Sequence, residues 1–282
     1  MYKIGLSTCA RPVAEEKFAG YSVAGITAME ISDTIDGYAR LDYAGAAALA
    51  KKYGVELWSM HLPFGPFSVL DLSNPDLAGY TVEYYAELVR KGAEIGVKIF
   101  VIHPSGEPIK DEYRKIRMDT AKQSLAALAE IALQYGATIA VENLPRTCLG
   151  RNSEEIAELL SAHTALRACF DTNHLLAEKP VDFMREIGDK IITVHISDYD
   201  FVNERHWLPG EGKVDWCALL AAFREIGYSG AWIYEVELAC PKTILRDRAL
   251  TYEDFSKNAN ELFTGGEITV ISRPKPNLGW WE

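Results

Sequence analysis

The chain alternates between two kinds of hydrophobic pattern from one end to the other. Short runs rich in Val, Ile and Phe are typical of parallel strands that are buried on both faces. Longer stretches between them have the three-to-four-residue spacing of amphipathic helices. The predicted strands cover residues 3–8, 28–32, 55–61, 98–103, 138–142, 167–171, 191–197 and 231–237. The clearest predicted helices cover residues 42–53, 77–95, 113–135 and 216–226.

The residues between these segments agree with this interpretation. Glycine follows each clear helix at the place of a left-handed cap, at Gly54, Gly96, Gly136 and Gly227. Eight β-α units in unbroken alternation predict an α/β fold, a (β/α)8 TIM barrel with outer helices, as one domain over residues 1–264. A doubly wound open sheet is the alternative, but the first strand is not followed by the glycine-rich GxGxxG turn of that fold.

Residues 265–282 fall outside the alternating pattern. Pro274 and Pro276 are incompatible with a helix, and Trp280 and Trp281 would be costly to leave in water. We therefore expect this tail to pack on the barrel or on a partner subunit.

Composition narrows the class of protein. The net charge is -11, from 40 acidic and 29 basic residues, which disfavours a nucleic acid as partner because such binding depends on clustered Lys and Arg. The five cysteines form no CxxC pair, as expected for reduced thiols in the cytoplasm. No apolar run reaches the length of a membrane span, and the first residues read as a strand and not as a secretory signal, so we expect a cytoplasmic protein without membrane contact.

Four predicted strands end in a carboxylate or an imidazole. In a barrel, such ends meet on one rim, where functional groups lie. Three carboxylates and one imidazole form an oxygen-rich site that suits one divalent ion, Mn²⁺, Zn²⁺, Co²⁺ or Mg²⁺. No cysteine ends a strand there, so a closed structural zinc site is not expected. The candidate metal ligands are Glu142, Asp171, His195 and Glu235, with Glu237 on the same side of the last strand as Glu235.

Histidines are concentrated near the same rim. Of six, only His163 falls elsewhere, at a helix end, where we expect an ordinary surface residue. His174 follows Asp171 by three residues and is a candidate substrate contact or a support for a ligand. His61, His103 and His206 are candidates for binding substrate or for bracing loops.

At these residues the sequence resembles the sugar-phosphate isomerase/epimerase group of the xylose-isomerase-like TIM barrels. The shared motifs are HLPF at His61, IHP at His103, VEN at Glu142, FDTNH from Asp171, HISD at His195, LPGEGKVDW from Leu208, and GYSGAWIYE ending at Glu235. The resemblance implies that Glu142, Asp171, His195 and Glu235 bind one divalent metal ion. It implies an isomerase or epimerase of a sugar, sugar phosphate or inositol derivative. Such an enzyme removes a proton beside a carbonyl, through a metal-stabilised enediolate.

Glu142 and Glu235 would then be the catalytic proton carriers. They belong to strands three apart on an eight-stranded ring and approach a substrate from different sides, which suits epimerisation. Ser105 and Gly106 are a weak signal for a phosphate contact. The aromatic tail and the habit of the family favour a homodimer or homotetramer.

Three alternatives stay open. The same superfamily contains endonuclease IV type nucleases with three zinc ions, which use histidines at places matching His61, His103, His174 and His206 and an Asp at the place of Glu204. This chain departs from their motifs, with HLPF for HSPY, DTNH for DTCH and HISDYD for HLNDSK. A keto-inositol dehydratase would use the same metal site. A barrel that only binds sugar would need the carboxylates to be structural.

Overall fold

The computed structural model describes residues 2–64 and 69–275, and within them the predicted strands form a closed parallel barrel. β1 closes the ring because it pairs with both β2 and β8, with Leu6 opposite Tyr234. The open-sheet alternative is therefore wrong. The barrel strands are β1 Ile4–Ser7, β2 Ala28–Ser32, β3 Glu56–His61, β4 Ile99–Ile102, β5 Thr138–Glu142, β6 Arg167–Asp171, β7 Ile191–Ile196 and β8 Trp232–Tyr234.

Helices surround the barrel. Each of the four predicted glycine caps has a positive φ, between 61° and 97°. None of the helices in the part of the chain that the structure describes is both long and apolar enough to cross a bilayer. The helices are α1 Glu15–Ala24, α2 Ile35–Arg40, α3 Tyr43–Tyr53, α4 Ala78–Glu94, α5 Asp111–Gln134, α6 Ser153–Leu160, α7 Pro180–Ile187, α8 Trp216–Glu225 and α9 Tyr252–Thr264, with a 3-10 turn at Gly188–Lys190.

Two short strands lie outside the barrel. β9 (Ile244–Arg246) pairs antiparallel with β10 (Ser272–Pro274), which joins the start of the tail to the segment that follows β8. Three-residue strands leave too little alternation to detect in a sequence. Trp280 and Trp281, on which the tail prediction rested, lie outside the described residues.

The interior of the barrel is apolar toward the N-terminal ends of the strands and charged toward their C-terminal ends, which form the rim. Ala28, Ala231 and Ile233 form one buried cluster, and Val101, Ala140 and Cys169 form another. Because side chains two residues apart on a strand share a face, the next inward positions carry the polar groups. In or directly after each of four strands, an acidic residue comes two positions after a residue of these clusters: Glu30 after Ala28, Glu142 after Ala140, Asp171 after Cys169, and Glu235 after Ile233. A layer of charged groups therefore rests on an apolar floor.

Gly5 provides a test of how tightly this floor is packed. A Cβ added at Gly5 would lie 2.4 Å from Ile233 Cδ1 and 2.9 Å from Ala28 Cβ. Because overpacking a dense core forces neighbouring groups to shift, we expect Gly5→Ala to lower the free energy of unfolding by about 1–3 kcal/mol in urea titrations.

The matched control is Gly79→Ala near the start of α4, where an added Cβ meets nothing within 4 Å. There we expect no loss, and a gain of up to about 1 kcal/mol, because alanine restricts the unfolded chain. Equal stabilities for the two variants would contradict the packing argument.

Candidate metal centre

The four predicted ligands converge in one layer at the rim. One ligand atom from each of Glu142, Asp171, His195 and Glu235 can be chosen so that all four lie within 4.8 Å of one another. His195 Nδ1 lies 3.2 Å from Glu142 Oε1, 3.5 Å from Glu235 Oε2 and 3.8 Å from Asp171 Oδ2. Strands β5, β6 and β7 carry the first three residues, and Glu235 directly follows β8.

The chemistry of this group fits a divalent cation. Asp171 Oδ2 and Glu235 Oε2 are buried and accept no hydrogen bond from the described residues. A buried carboxylate oxygen without a donor is costly, and here two of them face the same imidazole nitrogen. A hard cation would satisfy both oxygens, so the residues present fit the metal that the sequence predicts.

Glu235, and not Glu237, is the glutamate that joins the group. The Glu237 carboxylate is half exposed and pairs with Arg11 at 3.2 Å. β8 ends at Tyr234, so the strand alternation that would place Glu237 beside Glu235 does not continue to residue 237.

Glu142 lies among four imidazoles. Its Oε2 is 2.9 Å from His61 Nε2 and 3.3 Å from His103 Nε2. Its Oε1 is 3.2 Å from His195 Nδ1 and 3.3 Å from His174 Nδ1. His61 is buried and its Nδ1 contacts Leu62 O at 2.8 Å, so this predicted substrate residue lies behind Glu142.

The other predicted substrate residues border an open cavity above the layer. Its volume is ≈ 290 Å³, at the lower end of the range for small-molecule sites. His174 borders this cavity, and its Nδ1 is already in contact with Asn143 O at 2.9 Å. Its Nε2 is therefore the ring nitrogen to consider for a substrate contact. His163, by contrast, pairs with Glu130 away from the site. The lining residues include Phe64, His103, Arg146, His174, Glu204, His206 and Glu235.

Charges in the layer shift one another's pKa values. Burial lowers the pKa of His195, but the facing carboxylates of Glu30, Glu142 and Glu235 raise it well above its usual value. Burial raises the pKa of Asp171 to about 7, with Glu235 and Glu142 acting in the same direction. Burial also raises the pKa of Glu235, but His195 and His206 bring it down to about 2. Without metal, the layer therefore retains protons at neutral pH.

Glu30 is a member of this layer that the sequence analysis missed. Its side chain is fully buried, 3.0 Å from His195 Nε2. Glu30 lies in the middle of β2, whereas the predicted ligands lie at strand ends. An acid inside a buried strand, two residues after the inward-facing Ala28, was the available signal.

Two further residues were also missed. Cys169 lies close to Glu142 and His195, with a thiol whose pKa is raised strongly by burial, so a cysteine is nearer the site than expected. Asn143 is buried and braces Asp171 on both sides, accepting from Asp171 N at 2.8 Å and donating to Asp171 O at 2.9 Å. A residue that directly follows Glu142 in the VEN motif could have been assigned this bracing role.

Arg146 connects three rim loops beside the cavity. Its guanidinium donates to Asn203 Oδ1 at 3.0 Å and pairs with the carboxylates of Glu107 and Glu204. His174 and His206 lie near the same Glu204, and the three residues form a second group that could hold a cation. Arg146 therefore competes for the carboxylate of that group.

Comparison with known proteins agrees with the barrel fold. The family model described as xylose isomerase-like TIM barrel matches residues 19–254. A solved structure of a D-tagatose 3-epimerase-like protein superposes with a TM-score of 0.73 at 26% identity, covering 82% of this chain and 89% of that one.

Curated relatives include both named and uncharacterised proteins. An uncharacterised protein of Methanocaldococcus jannaschii is 30% identical over 64% of this chain and 64% of its own length, slightly under two thirds. The inosose isomerase of Bacillus velezensis is 27% identical over 71% of this chain and 73% of its own length.

Binding of a divalent ion should release protons from this layer. His195 must lose the proton from the nitrogen that binds the ion, and the carboxylates must be ionised. We expect the affinity for Mn²⁺ to rise about tenfold per pH unit for each proton released, and this dependence to weaken by one proton above about pH 7, where Asp171 is ionised without the ion. Calorimetric titration in two buffers of different ionisation enthalpy measures the number of protons, and a heat that does not depend on the buffer would contradict the prediction.

Proposed function

The chain belongs to the xylose isomerase-like TIM barrel family, and on that premise we propose that it is a divalent-metal-dependent isomerase or epimerase of carbohydrates. The observation that carries the proposal is the convergence of Glu142, Asp171, His195 and Glu235, with two buried oxygens that accept no hydrogen bond from the described residues. Similarity to an inosose isomerase and to a D-tagatose 3-epimerase-like structure supports the same reaction class.

These four residues would hold one ion, Mn²⁺, Zn²⁺, Co²⁺ or Mg²⁺, since their donors are mostly oxygen. When bound, the ion supplies Lewis-acid polarisation of the ketose oxygens, which makes the neighbouring C–H more acidic.

The chain's own contribution to the reaction is proton transfer by two glutamates. Glu235 borders the cavity, so its carboxylate can accept a proton from the carbon beside the carbonyl once the bound ion has made that C–H more acidic. Glu142, on β5, approaches from another side, and its carboxylate is held by His61 and His103. Removal on one side and return on the other inverts one carbon, which is epimerisation. Return to the adjacent carbon would give aldose–ketose isomerisation.

The cavity suits a polyhydroxylated substrate. His103, His174 and His206 offer ring nitrogens around it, and Arg146 and Glu204 add charged groups. Ser105 Oγ accepts from Leu149 N at 2.9 Å and keeps its own O–H to donate, so it is compatible with either a phosphorylated or an uncharged substrate. Similarity to an inosose isomerase and to a D-tagatose 3-epimerase-like protein favours an uncharged ketose or an inositol ketone as the substrate to test first, with a sugar phosphate next.

Replacement of either glutamate by glutamine should strongly slow proton exchange. For Glu142→Gln and Glu235→Gln at saturating Mn²⁺, we expect exchange of the ketose α-hydrogen with D₂O to fall by about 10²–10⁴-fold, because each variant lacks a proton carrier. Proton NMR follows the exchange, and elemental analysis of each variant separates a lost base from a lost ion. The product spectrum distinguishes epimer, aldose and dehydrated inosose.

Glu237→Gln is the matched control, since Glu237 lies two residues away and pairs with Arg11 outside the group. We expect it to retain the wild-type rate and metal content. A metal-loaded wild type that exchanges no α-hydrogen on any ketose or inositol ketone would contradict the proposed function.

A multi-zinc phosphodiester hydrolase is the second candidate, and one observation favours it. Two more groups that could hold a cation flank the first, His61–His103–Glu142 and His174–Glu204–His206. Against it, the Phe64 ring lies 4.0 Å from the His103 ring and 4.7 Å from the His61 ring, centroid to centroid, and Arg146 already pairs with Glu204.

Metal stoichiometry separates the two candidates. We expect about one equivalent of tightly held ion per chain from the donor set of the first group. Two to three equivalents of zinc together with cleavage of abasic-site DNA would favour the hydrolase.

A further inference from the structure

We infer that Glu30 is a positioning residue that holds His195 through Nε2 and thereby directs Nδ1 to the metal. The inference rests on the metal site of the proposed function, but it concerns metal affinity and not the reaction. Glu30 touches neither the cavity nor the other three ligands in the described structure; its hydrogen bonds go to Ser59 and His195.

The two nitrogens of His195 face different surroundings. On one side, Nε2 lies 3.0 Å from the Glu30 carboxylate. On the other side, Nδ1 faces Glu142, Asp171 and Glu235 at 3.2–3.8 Å. A metal-binding imidazole needs a lone pair on one nitrogen, and the proton on the other is best held by an acceptor. Glu30 is placed to be that acceptor, which assigns the metal to Nδ1.

The burial of Glu30 explains why its carboxylate needs the His195 imidazole as a partner. Glu30 and His195 are both 0% exposed. A charged group in a barrel interior is strongly unfavourable unless it is paired and hydrogen-bonded. Ser59 Oγ donates to Glu30 Oε2 at 2.8 Å and supplies a neutral donor, so the imidazole is the partner that can balance the charge.

The strand register keeps this contact in place. Glu30 lies opposite Ser7 on β1 and opposite Ser59 on β3, two small side chains that leave room for a glutamate between them. The glutamate reaches across the barrel from β2 to His195 on β7, which are not adjacent strands. The orientation of the imidazole therefore depends on a side chain from a strand three positions away around the ring.

Glu30→Gln tests this role because it retains the shape of the side chain and removes its charge. Outer-sphere carboxylates of this kind contribute about 10–100-fold to metal affinity. We expect about tenfold weaker Mn²⁺ binding for Glu30→Gln and about 100-fold weaker binding for Glu30→Leu, measured by EPR titration of free Mn²⁺. Thermal unfolding of the metal-free variants is measured alongside.

Asp198→Asn is the matched control. Asp198 is also fully buried and follows β7, but its carboxylate accepts from Trp216 Nε1 at 2.9 Å and Gly210 N at 2.8 Å and makes no contact with His195. We expect this variant to unfold at a lower temperature and to bind Mn²⁺ as the wild type does. Equal losses of affinity in the control and in Glu30→Gln would reduce Glu30 to a structural role.

A spectroscopic measurement on the wild type keeps the inference testable if the variants do not fold. Long-range ¹H–¹⁵N NMR of the Zn²⁺-loaded protein should show His195 with its proton on Nε2 and its Nδ1 bound to metal. A proton on Nδ1 would overturn the inference. Equal affinity of the wild type and of Glu30→Gln for Mn²⁺ would also overturn the inference, and the proposed function would still stand. Wild type that binds no divalent ion would remove the basis of both.

Discussion

The need to balance negative charge inside the barrel shapes the rest of this site. Glu30, Glu142, Asp171 and Glu235 approach one another in a layer from which water is largely excluded. Ionised carboxylates at such separations repel, and burial adds a desolvation cost to each. Imidazoles balance this negative charge. Four of them surround Glu142, and one of the four, His195, also contacts Glu30. Among the common side chains, imidazole can carry a proton before a cation binds and release it afterwards.

The barrel makes this layer possible because one part of each contributing strand fills the interior and another part carries the charged groups. The inward residues near the N-terminal ends are small or apolar and fill the interior, as Ala28, Ala140 and Ile233 do. The next inward residues carry the charges. Since β-strands fix side-chain direction with a period of two, charged groups from four strands meet without a loop to position them, and Glu235 joins them from the residue directly after β8. The loops are left to form the cavity wall, as Arg146 and Glu204 do.

Strand positions were predictable from sequence to within three residues at either end, because buried parallel strands are nearly continuous apolar runs with sharp ends. The placement of Glu142, Asp171, His195 and Glu235 followed from the same property, since each ends such a run. Glu30 escaped because it interrupts a run and does not end it. The Arg146–Glu204 pair joins loops more than fifty residues apart, and no periodic pattern relates them. Asp198, three residues after His195, turns away from it and accepts from Trp216 Nε1 and Val214 N, beside the start of α8.

The closed floor of the barrel has a consequence for the order of events. Asp171, Glu142 and His195 are sealed below by the apolar clusters, and of the four metal-binding candidates only Glu235 borders the open cavity in the described part of the chain. Glu235 also borders a second cavity, beside Cys9, Ser32 and Arg205, so both openings of the described structure lead to this one carboxylate. On the proposed function, an ion on its way to Asp171 passes Glu235, and a sugar seated on Glu235 would slow exchange of the metal between turnovers.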